Sequence, residues 1–537
     1  MSAPGPGAAH ASHASGGRGY RVSMQQPWFR NAVVYAIDVA QFHDTDGDGW
    51  GDLRGVADRL EYVRGLGATC IWLLPFYRTP YRDGGYDVSD HLAVDPRFGD
   101  LADFALLMDK ADSLGIRVLV DLVAQHTSVD HPWFQEARKD PSSPYRDYYV
   151  WADEPHESAV KPIFPTVEDS VWTWDEAAQQ YYRHVFYSHE PDLDLGNPRV
   201  RDELERVMTF WMRLGVAGFR VDAVPYMVER ARAADPTDDG LWLLEQMRDQ
   251  VTLRRSDSVL MGEVDVPAKE YADYLGDGDR LTMLLNFWTD NHLFLALARE
   301  QAAPLVRALQ GLPAAPRLGQ YANFVRNHDE LDLEQLTVRE REEVIGAFAP
   351  DPAMLAYDRG VRRRLGPMLG DDEDRIAMVH ALLASLPGAP VVLYGEEIGL
   401  PDDLSREERM AVRTPMKWSV VEDHLPRATS LLARVGHLLR SRAGRDEIGS
   451  GDFEVVDLGA PSVLCLVHRY EGSVLVTAVN LSADPVAFEV AVEEDLSPLV
   501  DILTDRDYPA ASSGPVKLEL GGYGYRWLLR STIAWSE

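Results

Sequence analysis

From Trp28 onward, short apolar runs alternate with amphipathic stretches. The runs fall at 33–42, 69–76, 118–126, 218–224, 259–264, 281–287, 321–329 and 389–396, rich in β-branched residues and of the length of strands buried on both faces. Between them the period changes. Across 200–214, Leu204, Val207, Met208 and Trp211 recur at i, i+3, i+4 and i+7, which is one face of a helix. Asn197-Pro198 just upstream supplies start chemistry for it, and Val56, Leu60 and Val63 repeat the pattern in 56–66. Eight strands alternating with helices predict an α/β fold, a (β/α)8 TIM barrel. A doubly wound parallel sheet shares the local pattern.

Two gaps interrupt the alternation. The first, 127–190, is rich in Trp, Tyr, Pro and charge, and a connection that long predicts a functional loop or a small inserted domain. The second, 330–370, carries the charge run 339–343, which reads as a solvated helix face. After residue 446 the period drops to two, with short runs at 453–456, 462–469, 473–481, 487–492 and 523–529, a terminal antiparallel β domain. The expected division is a disordered tail over 1–27, a barrel over 28–126 and 191–445, an insert over 127–190, and a β domain over 446–537. The tail is rich in Gly, Ala, Ser and His and lacks the apolar stretch of a signal peptide.

Composition narrows the partners. Asp and Glu number 86 against 53 Lys and Arg, a formal charge of −33, which argues against nucleic acid and anionic membranes and favours a neutral small molecule or a metal. Most of that acid is ordinary solvated surface. The two cysteines, Cys70 and Cys465, each sit in an apolar run and read as buried free thiols. With no disulfide framework, a reducing, cytoplasmic setting is expected. No apolar run reaches eighteen residues, so no membrane span is expected.

In a barrel, chemistry collects at the C-terminal ends of the strands. There the sequence reads Asp121…His126, Gly218-Phe-Arg-Val-Asp222, Gly262-Glu263 and Arg326-Asn-His-Asp329. Carboxylates clustered with neutral partners suit glycoside chemistry, in which one attacks the anomeric carbon while another protonates the leaving oxygen. Arg220 would keep Asp222 ionised, whereas burial beside other carboxylates would keep Glu263 protonated. Asp329, His126 and His328 would grip sugar hydroxyls. No P-loop or dinucleotide fingerprint follows any strand, so no organic cofactor is expected.

With Gly388-Ala-Pro-Val-Val-Leu-Tyr-Gly-Glu-Glu-Ile-Gly399 added, these motifs make the chain from Trp28 to its end resemble the α-amylase family, glycoside hydrolase family 13. The resemblance implies a TIM barrel with domain B inserted after the third strand and a C-terminal antiparallel β-sandwich. It implies Asp222 as nucleophile, Glu263 as acid/base and Asp329 as transition-state stabiliser. It also implies that Asp83 and Tyr86, in Asp83-Gly-Gly-Tyr86-Asp87, hold a terminal glucose, with Asp83 paired to Arg413. The substrate would then be a small α-glucoside or a chain end.

The segment Asp44-Thr-Asp46-Gly-Asp48-Gly-Trp50-Gly-Asp52 spaces carboxylates like the first half of a calcium loop. The resemblance implies a structural Ca2+ held by the side chains of Asp44, Asp46, Asp48 and Asp52 and the carbonyl of Trp50. Within the family, Trp172-Thr-Trp-Asp175, 186–193, Asn327-His-Asp-Glu-Leu331 and Arg362-Arg-Arg-Leu365 resemble the branch that interconverts maltose and trehalose. Departures occur at Gln125 (for Asn), at Gly262-Glu-Val-Asp-Val266 (for Ala-Glu-Ala-Asn-Gln), at Glu190 and Asp194 (for Gln and Asn) and at Lys417 (for Gln), and 400–410 lacks a Gly-Asp-Arg wording. Several flank the acceptor side, so hydrolysis or transfer from another small α-glucoside is the alternative activity. A homo-oligomer is compatible with the sequence but not specified by it.

Overall fold

The computed structural model describes residues 26–156, 160–233, 237–357, 360–491, 499–503, 506–507 and 516–530. The expected disordered tail lies almost wholly outside these residues. Eight parallel strands close a barrel: β1 Val34–Ile37, β2 Cys70–Leu73, β3 Arg117–Leu122, β4 Gly218–Val221, β5 Val259–Gly262, β6 Met283–Leu285, β7 Gln320–Phe324 and β8 Ala389–Leu393. Closure comes from β1 pairing with both β2 and β8, Val34 lying opposite Cys70 on one side and Val391 on the other. Gly218 opens β4 because the neighbouring strand is too close for a side chain; a Cβ there would lie 1.9 Å from the Val259 carbonyl oxygen.

All eight predicted strands exist, but each ends short of the run that announced it. The run 33–42 turns at Asp38, whose carboxylate accepts from Ala40 N and caps a short helix, Val39–Phe42. The runs expected to carry His126 and Asp329 at their ends leave the ladder at Leu122 and Phe324, so both residues sit on loops beyond β3 and β7. An apolar run reports burial; the ladder ends where the backbone loses its neighbour, and loops on the barrel's top stay buried.

The helices follow their periodicity closely. Pro198–Arg213 starts at Asn197, whose side chain accepts from Arg199 N, and buries Leu204, Val207, Met208 and Trp211. Each such side chain contributes about 1.5–3 kcal/mol by leaving water. Leu53–Leu66 buries Val56, Leu60 and Val63 and is capped by Asp52. In the second gap, Val338–Phe348 begins with a Thr337/Glu340 capping box, and Glu340 and Glu343 pair with Arg307 and Arg299 of neighbouring helices.

The first gap contains a three-stranded antiparallel sheet ordered Trp151–Ala152, Gln180–Arg183, Trp172–Asp175. It is tied to the barrel by backbone bridges His126–Asp192 and Tyr149–Leu193. The C-terminal region is antiparallel. A six-stranded sheet, with Val463–Tyr470, Ser473–Asn480 and Tyr525–Arg530 at its centre, faces the pair Val486–Val490 and Val516–Leu520 across a core of Cys465, Val467, Val476, Phe488 and Leu518. Trp527, wholly buried, fastens this sandwich to the barrel by donating from Nε1 to Ser385 Oγ at 3.0 Å. Both cysteines are buried free thiols. No helix among the described residues is long and apolar enough to cross a membrane.

Candidate functional site

Arg220 organises the top of the barrel. It projects from β4, is almost completely buried, and its guanidinium serves three carboxylates. Nη1 lies 2.9 Å from Asp121 and 2.5 Å from Asp222, and Nη2 lies 2.9 Å from Glu263. Trp72 on β2 packs under the guanidinium, 5.1 Å from the ring centroid, and donates from Nε1 to Asp121 at 2.8 Å. One buried cation among three acids, Asp121 and Asp222 buried and Glu263 partly exposed, cannot satisfy them all as anions. Burial, opposed by Arg220, pushes Asp121 and Asp222 up to about 6. Burial pushes Glu263 up to about 7, reinforced by Asp222 and Asp329.

The backbone places the pair. Ala223, directly after Asp222, adopts a left-handed conformation (φ 50°, ψ 38°) that costs a non-glycine residue on the order of 1 kcal/mol. That turn aims its N–H at Glu263 Oε2, 2.9 Å away. Asp329 is held by its own loop: Arg326 donates to the Asp329 carbonyl at 2.7 Å, and Asp329 N donates to Asn327 Oδ1 at 3.0 Å. Burial alone would raise the Asp329 carboxyl, but the hydrogen bond from His328 and the charges of Arg409 and Arg413 outweigh it and hold it well below the usual carboxylate range. His328 is itself pushed down to about 3 by burial and is therefore neutral. Its ring stacks on Tyr86 at 5.5 Å, with the Tyr86 hydroxyl 2.6 Å from Nε2.

The arginine assigned to Asp83 has to be corrected. Arg409 pairs with Asp83 at 2.5 Å and with Asp329 at 3.1 Å. Arg413 passes beneath Gly84, donates to the Gly84 and His328 carbonyls, and ends on Asp329 at 2.8 Å. A side chain at position 84 would lie 2.0 Å from Arg413 Nη1, so the lower arginine is covered and cannot reach Asp83's face of the site. Arg409 lies four residues upstream in a short 3-10 helix, Glu408–Val412. Nothing in the local sequence separates it from Arg406 or Arg413.

The remaining predicted residues converge. Asp83, Tyr86, His126, Asp222, Glu263 and Asp329, with Arg409 and Phe186, line an inner chamber of about 40 Å³. It adjoins an outer cavity of about 110 Å³ that shares Glu263, Asp329, Phe186 and Arg409 and adds Phe164, Tyr226, Asp265 and Phe287. The insert contributes Phe164 and Phe186 to the aromatic wall. Phe164 packs on Tyr187 and Tyr357 with centroids 4.4 Å apart, and the two tyrosine hydroxyls meet at 2.7 Å. Of the departures from the family pattern, Asp265 lines the outer cavity, whereas Lys417 is exposed at the start of the helix Trp418–His424.

The acidic loop lies elsewhere. Carboxylate oxygens of Asp44, Asp46 and Asp48 lie within 4.8 Å of one another, exposed. Asp44 accepts from Gly47 N at 2.7 Å and Gly49 N at 2.9 Å, and these donors hold its pKa below the ordinary value. Asp52 stands outside the trio. One of its oxygens caps the following helix through Gly55 N and the other accepts from Thr45 N and Oγ1. Trp50 donates from its backbone N to Asp48 and packs its ring on Tyr81. An all-oxygen set of this kind suits a hard divalent cation.

The model of the α-amylase catalytic domain matches residues 36–345. The chain belongs to the α-amylase family. A sucrose hydrolase-like C-terminal domain matches residues 472–529, within the sandwich. The chain is 37% identical to a trehalose synthase/amylase of Mycobacterium tuberculosis, over 94% of this chain and 90% of that protein. It is also 37% identical to a trehalose synthase of a Pimelobacter species, over 93% and 95%. Among solved structures it resembles the α-glucosyl transfer enzyme XgtA, with a TM-score of 0.76 and 28% identity, covering 94% of this chain and all of the other. The site described above is therefore that of an α-amylase-family enzyme.

Proposed function

We propose that the protein interconverts maltose and trehalose by moving a glucosyl unit within an enclosed site, through a covalent intermediate on Asp222. The observation that carries this reading is the inner chamber, closed behind by the Asp83–Arg409 pair and walled by Phe186, with two carboxyls of staggered acidity at its mouth. Full-length similarity to trehalose synthases supports the choice of substrate.

In the first step Asp222, ionised beside Arg220, attacks the anomeric carbon of the enclosed glucose, and Glu263 gives its proton to the departing glycosidic oxygen. Positive charge developing on the ring faces Asp329, kept anionic by Arg409 and Arg413. The released glucose stays in the outer cavity behind the Phe164–Tyr357 wall. Its 1-OH then attacks the glucosyl ester, returning a proton to Glu263 and freeing Asp222. Two inversions give net retention. Hydrolysis would follow the same path with water as acceptor, so exclusion of water decides the product.

Incubation with maltose, followed by product analysis over time, tests the reading. Trehalose accumulating ahead of free glucose is expected; free glucose without trehalose would overturn it. The second reading, hydrolysis or transfer from another small α-glucoside, is favoured by Asp265 standing in the outer cavity where the family pattern has Asn. We further propose that the loop 44–52 binds a structural Ca2+ through Asp44, Asp46 and Asp48, with the Trp50 carbonyl completing the set and Asp52 bracing the loop from outside it. The ion's contribution would be to fold the loop, with no step of the reaction passing through it.

A further inference from the structure

Glu190 is completely buried, yet the reaction above assigns it nothing. It lies on a stretch of the insert hydrogen-bonded antiparallel to the loop after β3, through Thr127 N to Pro191 O, Val129 N to His189 O and Leu193 N to Gln125 O. This pairing sets its carboxyl behind His126, which lines the inner chamber. Among the described residues Oε1 has no hydrogen-bond partner, and Oε2 accepts only a long bond from Tyr187 N, at 3.3 Å. Two imidazoles flank it. His126 Nε2 lies 4.0 Å from Oε2, and His189 Nε2 lies 4.0 Å from Oε1. Both distances exceed hydrogen-bond reach.

The charges facing this carboxyl do not favour an anion. Asp83 and Asp87 face it from the loop after β2, Arg409 from the loop after β8, and His126 and His189 from either side. Burial pushes His126 down to about 3 and lowers His189, so both rings are neutral. Arg409 is already committed to Asp83 and Asp329. Burial, then Asp83 and Asp87, hold the Glu190 carboxyl well above the ordinary range. A protonated carboxyl pairs an O–H donor with a carbonyl acceptor, and the amide of the Gln that the family pattern carries at this position likewise combines a donating and an accepting group.

We propose that Glu190 is a positioning residue of the inner chamber, a carboxylic acid that backs His126 and the Asp83–Arg409 clamp while it keeps its proton and loosens both when it loses it. An ionised Glu190 would compete with Asp83 and Asp329 for Arg409 and draw a proton onto His126, spoiling two walls of the chamber at once. This rests on the inner chamber being the glucose pocket.

The test is calorimetric titration with glucose, from mildly acid to alkaline pH, in the wild type and in Glu190→Gln. Both proteins share whatever dependence Asp222 and Glu263 impose, so the difference isolates Glu190. The wild type is expected to lose affinity at alkaline pH by an additional factor of up to about tenfold per pH unit, absent from Glu190→Gln. An infrared difference spectrum at neutral pH should show a carboxylic-acid C=O band that the variant lacks. Superimposable binding profiles, a carboxylate signature for Glu190 at neutral pH, or a folded Glu190→Gln that binds no glucose would each overturn the proposal. Absence of glucose binding in the wild type at every pH would instead strike down the glucose-pocket reading, and this proposal with it.

Discussion

Two groups of carboxylates in this chain were visible as motifs, and they behave in opposite ways. Asp121, Asp222 and Glu263 converge on a single guanidinium inside the barrel mouth, where the first two are buried and Glu263 is largely covered. Asp44, Asp46 and Asp48 crowd as closely but lie in solvent, their repulsion relieved by water and by backbone N–H groups. In the first group burial turns proximity into acidities of about 6 and about 7, useful for proton transfer near neutral pH. In the second, backbone N–H groups hold the Asp44 carboxyl below its ordinary range, and the exposed oxygens are left able to face a cation. Side-chain identity does not separate the groups; access of water does.

That contrast can be broken first at Asp222. Asp222→Asn should lower kcat by on the order of 10⁴-fold, since no other group can form the ester. Retention of activity would end the catalytic assignment. Glu263→Gln should cost about 10²–10⁴-fold with natural disaccharides, and less with donors whose leaving group needs no proton. Arg409→Ala should lower kcat/KM by about 10²-fold, because it strips a buried partner from Asp83 and from Asp329. Asp83→Ala should resemble it, whereas Arg413→Ala should resemble Asp329→Asn; the reverse match would restore the Asp83–Arg413 pair expected from sequence.

The pH profile sharpens the same comparison. Asp222 must lose its proton and Glu263 must keep one. The kcat/KM value should therefore rise as pH climbs through about 6 and fall above about 7, by about tenfold per unit on each limb. Strong coupling through Arg220 makes these properties of the pair. The smallest effect belongs to the exposed loop. A chelator should lower Tm, with about 2.7 kcal/mol of stabilisation lost from a protein that had Ca2+ at a hundredfold excess over Kd. The kcat measured well below the melting transition should stay unchanged. A chelator that leaves Tm alone would show the Asp44–Asp48 oxygens to be only a turn.

Much of this was legible without coordinates, and the failures have a common cause. Strand and helix positions follow from apolar spacing, which burial enforces locally, as at Leu204, Val207, Met208 and Trp211. The ends of the strands did not follow, because the loops after β3 and β7 are as buried as the strands they continue. Asp222, Glu263 and Asp329 were readable because each sits one to five residues beyond a strand end, where barrel topology confines function. Arg409 was not assigned and Arg413 was misassigned, since which of two arginines four residues apart reaches Asp83 depends on Gly84 roofing one of them.

By itself the sequence determined the alternation of strands and helices, the terminal antiparallel β domain and the strand ends on which the carboxylates lie, because these rest on periodicity, while the choice of a barrel over a doubly wound sheet rested on the family motifs. Only the tertiary structure decided which acid shares which base, how far burial moves each proton, and that Glu190 lies behind His126 with one oxygen unpartnered among the described residues. Those properties depend on groups distant along the chain, brought together where water cannot screen them, and no local pattern encodes such a meeting.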